Sequence, residues 1–272
     1  MKGLMQLKIN NYYKAQSLQE AYEVLLEDSK NIIIGGGAWL KLTNKDVETV
    51  VDITSIGLNE IIELPNQIEI GSMTSLRQIE QCDAIQQLSN GILSEAINHI
   101  MGVSIRNIAT IGGSIMGRYS FSDIITPLLV MDASLIFYKL GEISLTEFIE
   151  NKKIPNDILL KIVIPKTNKI GYFYKVQKSR LDFAVVNVAI TKGETIDIAV
   201  GARPSLTKRP VKAIEFINAA KDVNDEIIHQ TALMAIDELK FGTNAKASDE
   251  YREIVTKVYI KRGLKEVMSN EN

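Results

Sequence analysis

The chain has 272 residues, 46% of them hydrophobic, enough to bury a real core in one large domain or in two to three smaller ones. Its 31 basic and 33 acidic residues leave a formal charge of −2, so no overall field steers it toward nucleic acid or anionic lipid. A single cysteine, Cys82, excludes an intrachain disulfide and a four-cysteine metal or cluster site; with no apolar run long enough to span a bilayer and no signal-peptide pattern, a cytoplasmic protein is expected.

In chain order, Leu18, Ala21, Tyr22, Leu25 and Leu26 repeat with helical spacing, and Ser17 with Glu20 has the form of a capping box, so a helix is expected there. Ile32 to Ile34 reads as a short buried strand ending in Gly35-Gly36-Gly37, and Glu48 to Asp52 as a second strand. Ile68 and Ile70 alternate with Glu69 within Ile61 to Gly71, and helical stretches follow near Ser75 to Gln81 and Ile92 to Ile100. A second glycine turn, Thr110-Ile111-Gly112-Gly113-Ser114, precedes a helix from Asp123 to Met131 and a strand from Ala133 to Tyr138. The polar stretch Pro165 to Lys169 reads as a linker. Beyond it, Tyr172 to Val176, Ala184 to Ile190 and Thr195 to Val200 are separated by short polar breaks, as in an antiparallel meander. Helices are expected over Pro210 to Ala220, Asp225 to Leu239 and Ser248 to Val267.

The two glycine turns carry the chemistry. Each sits where an apolar run stops, and consecutive glycines can turn backbone N–H groups toward one point and admit a bulky anion. Two such turns suit a diphosphate, the anion at the centre of a dinucleotide. Either turn alone is equally well read as a strand terminator. His99 and His229 have no second ligand at metal spacing and read as structural, and no metal site or catalytic acid–base pair is expected.

Val103-Ser104-Ile105-Arg106-Asn107-Ile108-Ala109-Thr110-Ile111-Gly112-Gly113-Ser114-Ile115, with Ser122-Asp123 and an apolar helix after it, resembles the signature of the FAD-binding medium subunit of molybdenum hydroxylases. That family includes xanthine dehydrogenase, aerobic carbon monoxide dehydrogenase and nicotinate dehydrogenase. The resemblance extends through Gly35-Gly36, Val51-Asp52-Ile53, Ile70-Gly71-Ser72-Met73-Thr74, Ile158 to Pro165, Tyr174-Lys175 to Asp182-Phe183-Ala184, and Ser248 to Arg252 with Arg262-Gly263-Leu264. It implies an α+β chain: a two-lobed FAD-binding fold of the vanillyl-alcohol-oxidase/PCMH type, then a C-terminal domain with a three-stranded antiparallel sheet and a helical bundle. The lobes are expected at 1–55 and 56–166 and the last domain at 167–272.

The same resemblance implies FAD as cofactor, a large partner subunit holding a molybdenum cofactor, a small partner with 2Fe–2S clusters, and an external electron acceptor, NAD or another. By match to the family, Ile34, Gly35, Gly36, Gly37, Ala38 and Trp39 form the first pyrophosphate loop, and Thr110, Ile111, Gly112, Gly113 and Ser114 the second, with Ile100 nearby. Asp123 matches a carboxylate near the adenosine; Leu159 and Lys175 match positions near the isoalloxazine, where a cation favours the anionic reduced ring. From the residues alone, Asp123 is equally a first-turn helix acid, Lys175 an exposed edge residue, Arg106 one half of a structural ion pair and Asn107 a turn cap.

The chain departs from the family at Ala38-Trp39, where Thr-Asp or His-Ser is usual, and at Ser114, where Asn is common. Each neutral hydrogen bond lost costs about 0.5–1.5 kcal/mol, tenfold in affinity at most, which backbone contacts can cover. Trp39 reads as a core anchor more readily than as a ring-stacking residue, and no aromatic run marks a flavin shield. The basic run Lys208 to Lys212 reads as a solvated or partner-facing cluster. Two alternatives keep the fold: a stand-alone FAD-dependent reductase, and a non-catalytic assembly subunit that has lost FAD.

Overall fold

Three sheets, each with its own apolar cluster, build the chain in a computed structural model that describes residues 7–40, 43–151, 153 and 155–269. The first holds β1 (Lys8–Lys14), β2 (Ile32–Ile34) and β3 (Asp46–Asp52) in the order β1-β3-β2, all parallel. Strand β1 has no strong sequence signal, because almost every side chain on it is exposed. Helix α1 (Leu18–Glu27) crosses from β1 to β2, and Ala21 and Leu25 face the sheet. Ser17 caps it by accepting Glu20 N–H at 3.2 Å. The Glu20 carboxylate returns not to Ser17 but one residue earlier, to Gln16 N–H at 2.6 Å.

The second sheet is antiparallel, in the order β4-β5-β8-β6-β7: β4 (Ile61–Glu63), β5 (Gln67–Gly71), β6 (Ser134–Phe137), β7 (Gly141–Ser144) and β8 (Leu159–Pro165). Six short helices lie between β5 and β6: α2 (Leu76–Glu80), α3 (Asp83–Gln87), α4 (Ile92–Asn98), α5 (Val103–Ile108), α6 (Ile111–Met116) and α7 (Ile125–Val130). They cover the sheet with the wholly buried Leu76, Ile79, Leu93, Ile97, Ile111 and Leu128. Helix α8 (Leu145–Glu150) follows β7.

The C-terminal meander forms as its polar breaks predict, with β9 (Ile170–Val176), β10 (Val186–Lys192) and β11 (Ile196–Gly201) in the order β11-β10-β9. Helices α9 (Val211–Ala219), α10 (Asp225–Glu238) and α11 (Asp249–Ser269) cover one face; on α11, Ile260, Leu264 and Val267 reach the buried Val188 and Ile190 cluster. The basic run before α9 is not a free surface cluster. Arg209 reaches Asp197 at 2.8 Å and Asp132 at 3.1 Å and also donates to Leu129 O, tying this sheet to the turn after α7. Among the described residues, no helix is long and apolar enough to cross a membrane.

Candidate functional site

Strand β2 runs out into the first glycine turn at its carboxyl end, the position where parallel α/β sheets leave room for ligands. The second turn starts helix α6, with Thr110 as N-cap: its Oγ1 accepts Gly113 N–H at 3.2 Å. These two turns, far apart in sequence, touch. A Cβ on Gly36 would lie 1.3 Å from the Ile108 carbonyl oxygen, and one on Gly35 would lie 2.3 Å from Thr110 Oγ1. Only glycine allows so close an approach, and Gly37 adds a left-handed φ of +65°. A cleft of about 580 Å³ opens along the pair, lined by residues 31–40 and by Thr110, Gly113 and Ser114. That volume is within the range of cofactor sites.

The turns are not equivalent. Among the described residues, the N–H groups of Gly35, Gly36, Gly37, Ala38 and Trp39 donate to no protein acceptor. In the second turn four of the five N–H groups are committed: Ile111 to Thr74 O, Gly112 to Ser72 O, Gly113 to Thr110 Oγ1 and Ser114 to Thr110 O; among the described residues that of Thr110 has no protein acceptor. The expectation of two amide cradles therefore needs correction, because the start of α6 and its bonds to Ser72 and Thr74 take up all the donors of the second turn but one, that of Thr110. What that turn offers the cleft is a wall without a side chain at Gly113 and the Thr110 hydroxyl. Thr110→Ala should cost about 0.5–2 kcal/mol through the lost cap and weaken FAD binding up to about tenfold. Thr110→Ser should restore both, as thermal unfolding and FAD titration will read.

Charge in the cleft is sparse. Lys45 is the one cation among its described lining residues. The carboxylate of Asp157 is already occupied by three amides, those of Lys139, Leu140 and Ile158 at 2.7–2.9 Å. The free amides of the first turn thus border a space with no unsatisfied negative charge among its described lining residues, and the site fits a diphosphate.

A smaller chamber of about 20 Å³ adjoins the cleft through Trp39, Ser114 and Tyr119. Ile100, Asp123 and Lys175 line it. Lys175 is 5% exposed and not an edge residue in solvent; its ammonium lies 2.8 Å from Asp123 Oδ2 and donates to His99 O at 2.8 Å. Asp123 precedes α7 and also accepts Asn187 Nδ2 at 2.7 Å, so it is not a first-turn acid. Burial pushes its carboxyl above the usual range while Lys175 and Asn187 pull it back. The ion pair also limits the roles implied for its members: two groups in contact cannot serve opposite ends of an extended dinucleotide, so at most one of the two implied positions holds.

Three further expected residues lie outside both spaces. Ile111 is wholly buried in the core, Leu159 is buried where β8 begins, and Gly112 packs its bare Cα against Ser72 O, 2.6 Å from a would-be Cβ. Arg106 forms the expected ion pair, with Glu80 at 2.9 Å, whereas Asn107 lies exposed inside α5 and not at a cap.

An aromatic cluster does exist, assembled from separate segments. Trp39 meets Phe121 at 6.0 Å and Phe183 at 5.7 Å, Phe121 meets Phe183 at 4.4 Å, and Tyr119 stacks on Phe121 at 5.1 Å. No run of sequence could announce it. Asn187 carried a readable signal, a lone amide in the apolar strand Val185 to Ile190. Lys45 carried none.

Fold and site together define an FAD-binding oxidoreductase chain of the PCMH type. Residues 6–167 match the FAD binding domain in molybdopterin dehydrogenase, and residues 171–267 the CO dehydrogenase flavoprotein C-terminal domain. The chain belongs to this family of molybdopterin-dehydrogenase flavoproteins. The glyceraldehyde dehydrogenase medium chain of Sulfolobus acidocaldarius is 25% identical over 275 residues, covering 94% of this chain and 98% of that one. The xanthine dehydrogenase FAD-binding subunit of Escherichia coli O157:H7 is 30% identical over 131 residues, 46% of this chain and 44% of that one. The fold is shared with carbon monoxide dehydrogenase from Hydrogenophaga pseudoflava at a TM-score of 0.88, with 21% identity and 98% and 99% of the two chains covered.

Proposed function

We propose that this chain is the FAD-carrying electron relay of a molybdenum hydroxylase-type complex in the cytoplasm. In this reading a large partner holds the molybdenum cofactor, a small partner supplies 2Fe–2S clusters, and electrons leave through FAD to an external acceptor, NAD or another. The observation that carries it is the contact of Gly36 with the Ile108 carbonyl, which sets five unpartnered N–H groups along one cleft. A relative named as a medium chain and another named as an FAD-binding subunit support a partnered assembly.

When bound, FAD supplies a centre that exchanges electrons singly or in pairs. The chain's own contribution is positional. Amides of Gly35 to Trp39 would hold the diphosphate without a countercharge, as fixed dipoles already aimed. Trp39, Tyr119, Phe121 and Phe183 line the chamber that holds the Asp123–Lys175 pair beside the cleft, and their rings would leave little room for water around it.

Purified chain titrated with FAD should gain flavin absorption at one equivalent, and protein that stays colourless with FAD added would refute the reading. Trp39 is the sole tryptophan and sits where the two spaces meet, so FAD should quench intrinsic tryptophan fluorescence strongly. Co-purification with a large molybdenum subunit and a small cysteine-rich subunit tests the partners.

A further inference from the structure

A chain of buried polar side chains runs from the C-terminal sheet to the chamber beside the cleft. Thr207 Oγ1 and Thr126 Oγ1 are 3.0 Å apart, and Thr126 Oγ1 donates to Asn187 Oδ1 at 2.8 Å. Asn187 Nδ2 donates to Ser122 O at 3.1 Å and to Asp123 Oδ1 at 2.7 Å, and the other oxygen of Asp123 receives Lys175. Asn187 and Thr126 are wholly buried, and a Cβ on Gly201 would lie 2.3 Å from Asn187 Oδ1 and 2.5 Å from Thr126 Oγ1. The neighbouring strand is thus bare where the network needs space.

The orientation of the Asn187 amide is fixed from both ends. Ser122 O can only accept, so it selects Nδ2; the Thr126 hydroxyl then donates to Oδ1. An amide N–H aimed at a carboxyl oxygen favours the ionised form. We infer that Asn187, clamped by Thr126 and Thr207, is a positioning residue that keeps Asp123 as the carboxylate counter-ion of Lys175, so that this end of the FAD cleft presents a balanced ion pair and not a bare cation. The inference rests on the FAD reading above.

The energetics follow from burial. The chamber has room for about one water, so little solvent screens the pair. Without the Asn187 donor, the desolvated carboxyl takes up a proton and the Lys175 charge is left unbalanced. A bound group that gains negative charge on taking electrons is then easier to reduce. The other ionisable groups facing this site are His99, whose ring meets Glu95 at 2.9 Å, Tyr119 across the chamber, and Asp182, whose carboxyl feels Lys175. Among the described residues, only Lys175 and Asn187 contact the Asp123 carboxylate.

The test is the midpoint potential of bound FAD in Asn187→Leu, Asp123→Asn and the double variant. Asn187→Leu should shift the reduction equilibrium at least tenfold toward the reduced form, about +30 mV for a two-electron couple. The shift should be largest between the parent and the higher variant pKa of Asp123, fading as pH falls below the first, where both carboxyls are protonated, or rises above the second, where both are ionised. Asp123→Asn should move the potential in the same direction at every pH above the parent Asp123 pKa, and adding Asn187→Leu to it should change nothing more. An unchanged potential in Asn187→Leu, or an equal further shift in the Asp123→Asn background, overturns the inference. Should Asn187→Leu fail to fold, Thr126→Val must give a smaller shift of the same sign. Loss of FAD binding in the parent chain would instead defeat the proposed function. In that event ¹³C titration of the Asp123 carboxyl in cofactor-free chain decides for Asn187: its pKa must rise in the variant, and no rise refutes the role.

Discussion

Alanine at Gly36 should weaken FAD binding at least 100-fold and destabilise the chain by about 3 kcal/mol, the upper end of ordinary overpacking. The added Cβ falls 1.3 Å from the Ile108 carbonyl oxygen, and that oxygen belongs to backbone, with no side chain to swing aside. The turns must separate, and the unpartnered amides of Gly35 to Trp39 lose their alignment on the cleft. Gly35→Ala should be milder, since the Thr110 hydroxyl it meets at 2.3 Å can rotate away at the expense of the cap. Gly57→Ala is the control. Its φ of +82° makes any side chain strained, about 1–2 kcal/mol, yet nothing lies within 4 Å of the added carbon, so stability should fall while FAD affinity holds. Thermal unfolding and flavin absorbance separate the two quantities. Gly36→Ala with parental affinity would refute the apposed-turn site.

Replacing Lys175 with methionine should cost about 3–5 kcal/mol, the usual effect of leaving one member of a buried ion pair unpaired. The Lys175 side chain is 1% exposed and that of Asp123 6%, so solvent screening does not reduce the penalty. Asp123 then has only Asn187 to offset its desolvation, and its folded-state pKa climbs further above the unfolded value. A carboxyl shifted this way binds its proton more tightly in the folded state, so the deficit should shrink as pH falls and grow as pH rises through the folded pKa. Lys175→Met with Asp123→Leu removes both charges and should be more stable than Lys175→Met alone near neutral pH. Urea unfolding from acid to neutral pH checks the sign; a deficit independent of pH would mean that the lysine acts through packing alone.

Much of the architecture was legible from local pattern. The Ser17 cap, the apolar periodicity of α1, the polar breaks of the meander and the three terminal helices depend on interactions within a few residues of one another, and the strands and helices follow them. Strand β1 escaped because it lies at a sheet edge, where little burial marks its sequence. At the site, the two glycine turns could be found because glycine is itself the signal: a missing side chain is recorded in the residue type.

The use of each turn could not be read the same way. Both are glycine-rich, yet only the first keeps a run of free donors, because among the described residues all amides of the second but that of Thr110 close onto Thr110, Ser72 and Thr74 when α6 starts. The joining of Asp123 to Lys175 and Asn187, and the gathering of Trp39, Tyr119, Phe121 and Phe183, bring together side chains from different segments. By itself the sequence determined most of its helices and strands and the places where backbone can bend toward an anion; the short α3, α5, α6 and α8 were not legible in it. Tertiary structure alone decided which amides stay free and which charge meets which, because hydrogen bonds and ion pairs saturate, and their partners are chosen only when distant segments pack.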